Sequence, residues 1–86
     1  MPNNGLTWEV DVRISYGSTK CEGLYRIQTI KRYSAIREAL EWIIKENNLK
    51  DSTSGYPLRP YQLLGPYRNF CEVSAKCSED ARVKTE

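Results

Sequence analysis

From Thr7 to Tyr16 the chain alternates without a break. Trp8, Val10, Val12, Ile14 and Tyr16 fall on one side, and Thr7, Glu9, Asp11, Arg13 and Ser15 on the other. A strict period of two predicts a strand with one buried and one wet face. Gly17-Ser18-Thr19-Lys20 is turn chemistry, and Gly23 reads as a second turn residue or a bulge. A second strand is expected over Leu24–Ile30, with Tyr25, Ile27 and Thr29 on one side and Arg26 and Gln28 on the other. Ile30 breaks the alternation, so that strand ends or bulges there. Two strands joined by a short polar loop make an antiparallel hairpin.

The period then changes. Ile36, Ala39, Leu40, Ile43 and Ile44 recur at helical spacing and form one apolar stripe. Ser34 has the chemistry of an N-cap, and Asn47-Asn48 that of a helix stop, because Asn tolerates the left-handed conformation. Arg37, Glu38, Glu41 and Lys45 lie opposite the stripe. Trp42 sits at its edge, either covering the side of the core or standing partly exposed.

Residues 49–68 show no clear period. They carry Pro57, Pro60 and Pro66, the tyrosines Tyr56, Tyr61 and Tyr67, and the leucines Leu58, Leu63 and Leu64. A loop this long is functional or disordered in most compact domains, and its aromatic and leucine content argues for packing, with a short helical turn near Pro60–Leu64. Cys71, Val73, Ala75 and Cys77 then alternate with Glu72, Ser74 and Lys76, which predicts a third strand over Phe70–Cys77. The expected fold is α+β: a single small domain over residues 7–77, ordered strand-strand-helix-strand, with one helix packed on one face of a three-stranded antiparallel sheet in spatial order 2-1-3. Residues 1–6 read as a frayed start and 78–86 as a flexible tail.

Composition narrows the function classes. The 86 residues carry a formal net charge of +2, far less basic than a dedicated nucleic-acid binder and without the strong acidity of a protein that imitates DNA. No apolar run approaches the length needed to cross a bilayer, and the first residues lack the basic and apolar regions of a signal peptide. A cytoplasmic protein with no membrane partner is expected. Cys21, Cys71 and Cys77, odd in number and without scaffold spacing, read as reduced thiols.

There is no histidine, which removes the usual general base and the commonest zinc ligand. No Cys-x-x-Cys pair and no phosphate-binding glycine loop is present. Glu9 and Asp11 share a strand side two residues apart, the ordinary pattern of a solvated sheet. No cofactor, metal or catalytic residue is therefore expected, and the chain reads as a binding protein, not an enzyme. The candidate partner-binding residues are Tyr56, Arg59, Tyr61 and Tyr67 from the long loop, with Arg26 and Arg32 as electrostatic support, since tyrosine and arginine dominate binding hot spots. An alternative is a nucleic-acid-binding module built on Lys20, Arg26, Lys31 and Arg32, with Tyr25 or Tyr33 as a stacking platform. An exposed edge of a three-stranded sheet also allows a homodimer.

The runs Trp8–Ile14, Tyr25–Ile30 and Ser34-Ala35-Ile36-Arg37-Glu38-Ala39-Leu40-Glu41-Trp42 resemble the layout of small phage-encoded proteins that bind and inhibit host machinery, such as the T7-type inhibitors of bacterial RNA polymerase. There too a hairpin feeds a helix with a Glu-Ala-Leu core and a tryptophan, before a last strand. This chain adds the long tyrosine- and proline-rich loop. The resemblance implies a non-catalytic inhibitor or regulator of a host protein, encoded by a phage or mobile element, and assigns no site residue.

Overall fold

The computed structural model describes residues 6–77. The expected frayed start (but for Leu6) and the flexible tail lie outside the described residues. Strands β1 (Leu6–Tyr16), β2 (Thr19–Thr29) and β3 (Cys71–Cys77) form one antiparallel sheet in the order β2-β1-β3. Helix α1 (Arg32–Asn47) covers one face of it. A one-turn helix, α2 (Pro60–Leu64), and a 3-10 turn at Arg68–Phe70 lie in the connection back to β3. The α+β architecture and the strand order are those expected from the sequence.

The alternation of β1 is realised side chain by side chain. Val10, Val12 and Ile14 are buried under α1, while Glu9, Asp11, Arg13 and Ser15 face outward. Ala35, Ile36, Ala39, Leu40, Ile43 and Ile44 descend onto them, and Ile27, Leu49, Leu58 and Leu63 close the core. Burying each large aliphatic side chain is worth about 1.5–3 kcal/mol, largely offset by the entropy of ordering the chain. Trp8 closes the open end of the hairpin, where its indole N–H donates to the Thr29 carbonyl at 3.1 Å.

Two boundaries differ from expectation by more than one residue. β2 begins at Thr19, directly after a two-residue turn at Gly17-Ser18, and Gly23 sits in regular register opposite Val12 with no bulge. Gly17, with φ +64, takes the first central position of that turn, where the type II′ geometry favours glycine. Gly23 is required for another reason. A Cβ there would lie 2.7 Å from the Tyr25 ring, which folds back over the glycine on the helix side of the sheet.

The helix also starts earlier than Ser34. Its N-cap is Lys31, in extended conformation and without a side-chain cap bond, so Ser34 lies within the first turn. The other end follows the asparagine signal. Asn48 is left-handed at φ 54, its N–H reaches the Lys45 carbonyl at 3.3 Å, and the Leu49 N–H reaches Ile44 at 3.0 Å. That pair of bonds is a Schellman motif, which turns the chain so that Leu49 enters the core.

Candidate functional site

The connection from Leu49 to Phe70 is organised by Asp51. Its Oδ1 accepts from the Thr53 N–H at 2.8 Å and from the Tyr67 hydroxyl at 3.2 Å, and its Oδ2 from Gln62 Nε2 at 2.9 Å. The Thr53 bond is a local Asx turn, while the other two reach across the connection. These donors, the Thr53 amide first, hold the Asp51 carboxyl below its ordinary value of 3.8 against the opposing effect of burial. The Asp51 N–H donates to the Tyr56 carbonyl at 2.8 Å, and the Leu58 N–H to the Leu49 carbonyl at 3.0 Å, so the ends of the excursion are pinned together.

Gln62 extends the same network. Its Oε1 accepts from the Arg59 N–H at 2.8 Å, which satisfies a free amide at the start of α2, and Pro60 takes the first helical position, where no N–H is needed. Tyr67 stacks against Tyr16 at 5.6 Å and Phe70 at 6.0 Å. The Tyr16 hydroxyl accepts from the Ser52 N–H at 3.0 Å and donates to Ser52 Oγ at 3.2 Å. Tyr67 is therefore a packing residue with its hydroxyl spoken for, which sets it apart from the other proposed contact residues.

Pinned this way, the connection faces α1 across an open groove of about 1070 Å³. Ile44, Leu49 and Leu58 lie at its base, where they are largely buried. Trp42 and Tyr33 stand along the helix side and Tyr61 along the connection side, exposed by 47%, 58% and 66%. Pro57 and Pro60 stiffen the connection side, and Arg37, Arg59 and Lys45 mix with Glu38 and Glu41 around the rim. Arg37 pairs with Glu41 at 3.7 Å, and the Lys45 ammonium sits 5.8 Å from the Trp42 ring centre.

Arg59 and Tyr61 thus line one groove. Tyr56 is 74% exposed next to Pro57, beside the groove lining. Trp42 and Tyr33 belong to the same surface. Trp42 was legible as a residue at the edge of the stripe; Tyr33 precedes the expected helix start and was legible only as a stacking platform of the nucleic-acid alternative. Arg26 and Arg32 do not line the groove. Arg26 lies on the open face of the sheet, paired to Glu9 at 3.4 Å, and the Arg32 Nε donates to the Ala75 carbonyl at 3.5 Å.

The basic residues of the nucleic-acid alternative are dispersed. Lys20 and Arg26 share the open sheet face six residues apart, about 20 Å along a strand. Lys31 and Arg32 sit at the start of α1. Tyr25 is not a free platform, because its hydroxyl donates to Glu46 at 2.8 Å. Burial, followed by that carboxylate, pushes its pKa up to about 12.

The remaining chemistry is quiet. Burial raises the Cys71 thiol to about 11, with Cys21 and Glu72 adding to the effect, and burial raises Cys21 as well. Both are poor nucleophiles near neutral pH. Among the described residues no cluster of three or more metal-ligating side chains occurs, and no helix is long and apolar enough to cross a membrane. No protein-family model, curated protein or solved structure matches this chain.

Proposed function

We propose that this is a non-catalytic binding protein that engages another protein through the groove between α1 and residues 57–61. The observation that carries the reading is the grouping of Tyr33, Trp42 and Tyr61, all exposed, around an apolar base. Aromatic rings of this kind give large contact area at little entropy cost. The groove is open along its length, which suits a polypeptide segment better than an enclosed small molecule. Its rim carries both signs of charge, so the fitting segment presents one or two apolar anchors flanked by an acidic and a basic side chain. Engaging a host protein in this way fits the inhibitor or regulator role that the resemblance of the hairpin-and-helix layout implies.

Affinity capture from a bacterial lysate, with nuclease and at high salt, tests this. The expected result is one stoichiometric protein, retained by the wild type and lost with Trp42→Ala and Tyr61→Ala. Capture of nucleic acid alone, released by salt, overturns the reading in favour of the basic residues. So does a protein held equally well by both variants.

A further inference from the structure

The outer edge of β2 and the open face beside it carry a pattern that the groove does not use. The two-residue turn makes Tyr16↔Thr19 a hydrogen-bonded pair, and such pairs alternate along an antiparallel ladder. The backbone N–H and C=O groups of Lys20, Glu22, Leu24, Arg26 and Gln28 therefore point away from β1, to the free edge. The other edge of the sheet is different: β3 has seven residues, and Arg32 occupies the outward carbonyl of Ala75. β2 has eleven residues, and at its centre Leu24 is 67% exposed on a face otherwise made of charged and polar side chains.

We propose that β2 pairs with β2 of a second copy of this chain, antiparallel about a two-fold axis at Leu24. Two three-stranded sheets then join into one of six strands. In this register Leu24 meets Leu24, and Glu22 of each copy meets Arg26 of the other. A slip of two residues breaks both Glu22–Arg26 pairs, and in one direction sets Arg26 against Lys20; a slip of four sets Glu22 against Glu22 or Arg26 against Arg26, and like charges directly opposite are unfavourable.

The charges behind the edge agree. Within one chain, Lys76, Glu9 and Arg26 form one row across the sheet and Glu72, Arg13 and Glu22 another. Joined at Leu24, the two rows become one line of alternating sign: Lys76, Glu9, Arg26, then Glu22, Arg13 and Glu72 of the second copy. The dimer does not rest on the groove reading.

Sedimentation over a dilution series is the test. The wild type is expected to show a monomer–dimer equilibrium. Glu22→Arg and Arg26→Glu, each alone, set like charges opposite one another twice per dimer and should associate about tenfold more weakly. An equimolar mixture of the two restores both pairs in trans and should recover the wild-type affinity as a heterodimer. Leu24→Lys, at a solvent-facing position that does not enter the core, should also be monomeric, and it substitutes for any charge variant that fails to fold. A wild type that stays monomeric into the millimolar range overturns the proposal. Charge variants that dimerise as tightly as the wild type, or fail to recover on mixing, overturn it too.

Discussion

The tyrosines of residues 49–70 fall into two groups of opposite behaviour. Tyr67 turns inward: its ring stacks on Tyr16 and Phe70, and its hydroxyl donates to Asp51. Tyr56 and Tyr61 turn outward, with most of their surface in solvent. The two groups lie within one connection and have one side-chain chemistry. What separates them is whether a fixed acceptor waits beneath the ring. Asp51 supplies that acceptor for Tyr67 and, through Gln62, also sets where α2 begins. The inward half is thus a clamp, and the outward half is what the clamp presents.

Substitutions in the clamp should have the larger effects. Leu63, 1% exposed, is its apolar anchor. Leu63→Ala should cost about 3 kcal/mol, a large share of the stability of a domain this small, read as a lower denaturation midpoint.

Asp51→Ala should come next. It strands Gln62, Tyr67 and the Thr53 amide together, so amide exchange across residues 51–67 should speed up while α1 stays protected. The same carboxylate gives the clamp a pH dependence. Folded, it titrates below 3.8; unfolded, at that ordinary value, so the unfolded chain takes up the proton more readily. Its contribution is complete above about pH 4 and is lost as pH falls through the lower folded value. Acid titration of stability should therefore fall more steeply for the wild type than for Asp51→Ala.

Tyr25→Phe separates the clamp from the rest of the fold. Folded, Tyr25 titrates near 12 instead of 10, so its contribution holds below pH 10 and disappears as pH rises to about 12. Tyr67 is raised too, by burial and by Asp51, so phenolate absorbance of Tyr25→Phe should lose one late-titrating tyrosine and keep that of Tyr67, with the acid limb of stability unchanged.

The smallest effect on folding should come from the outward half. Tyr56→Ala and Tyr61→Ala should each change stability by less than about 0.5 kcal/mol. A loss as large as that of Leu63→Ala would erase the distinction between clamp and display.

The layers were readable because they follow from periodicity; the order 2-1-3 was expected too, but periodicity does not decide which strand is central. The alternation of Thr7–Tyr16 and the stripe Ile36–Ile44 each have one burial solution, and both are realised. The first half of β2 was not readable, because Thr19-Lys20-Cys21-Glu22-Gly23 has the composition of a turn. Its strand character comes from pairing with β1 and from Tyr25 covering Gly23. Within the connection, the Asx turn of Asp51 to Thr53 is local and leaves a trace in the run Asp51-Ser52-Thr53-Ser54-Gly55. The bonds to Gln62 and Tyr67 span 11 and 16 residues and leave none. That is why Tyr67 looked like Tyr61 in the sequence, and why Trp42, whose exposure depends on where the connection packs, stayed open.

The most direct test of the groove as a display held by a clamp is the affinity of the captured partner for the wild type and for Trp42→Ala/Tyr61→Ala, titrated side by side with melting curves for both. The expected result is binding weaker by at least roughly thirtyfold, the effect of a single hot-spot residue, with two removed here, at an essentially unchanged melting midpoint. Equal affinities at equal stability would contradict it and move the partner's footprint off the groove.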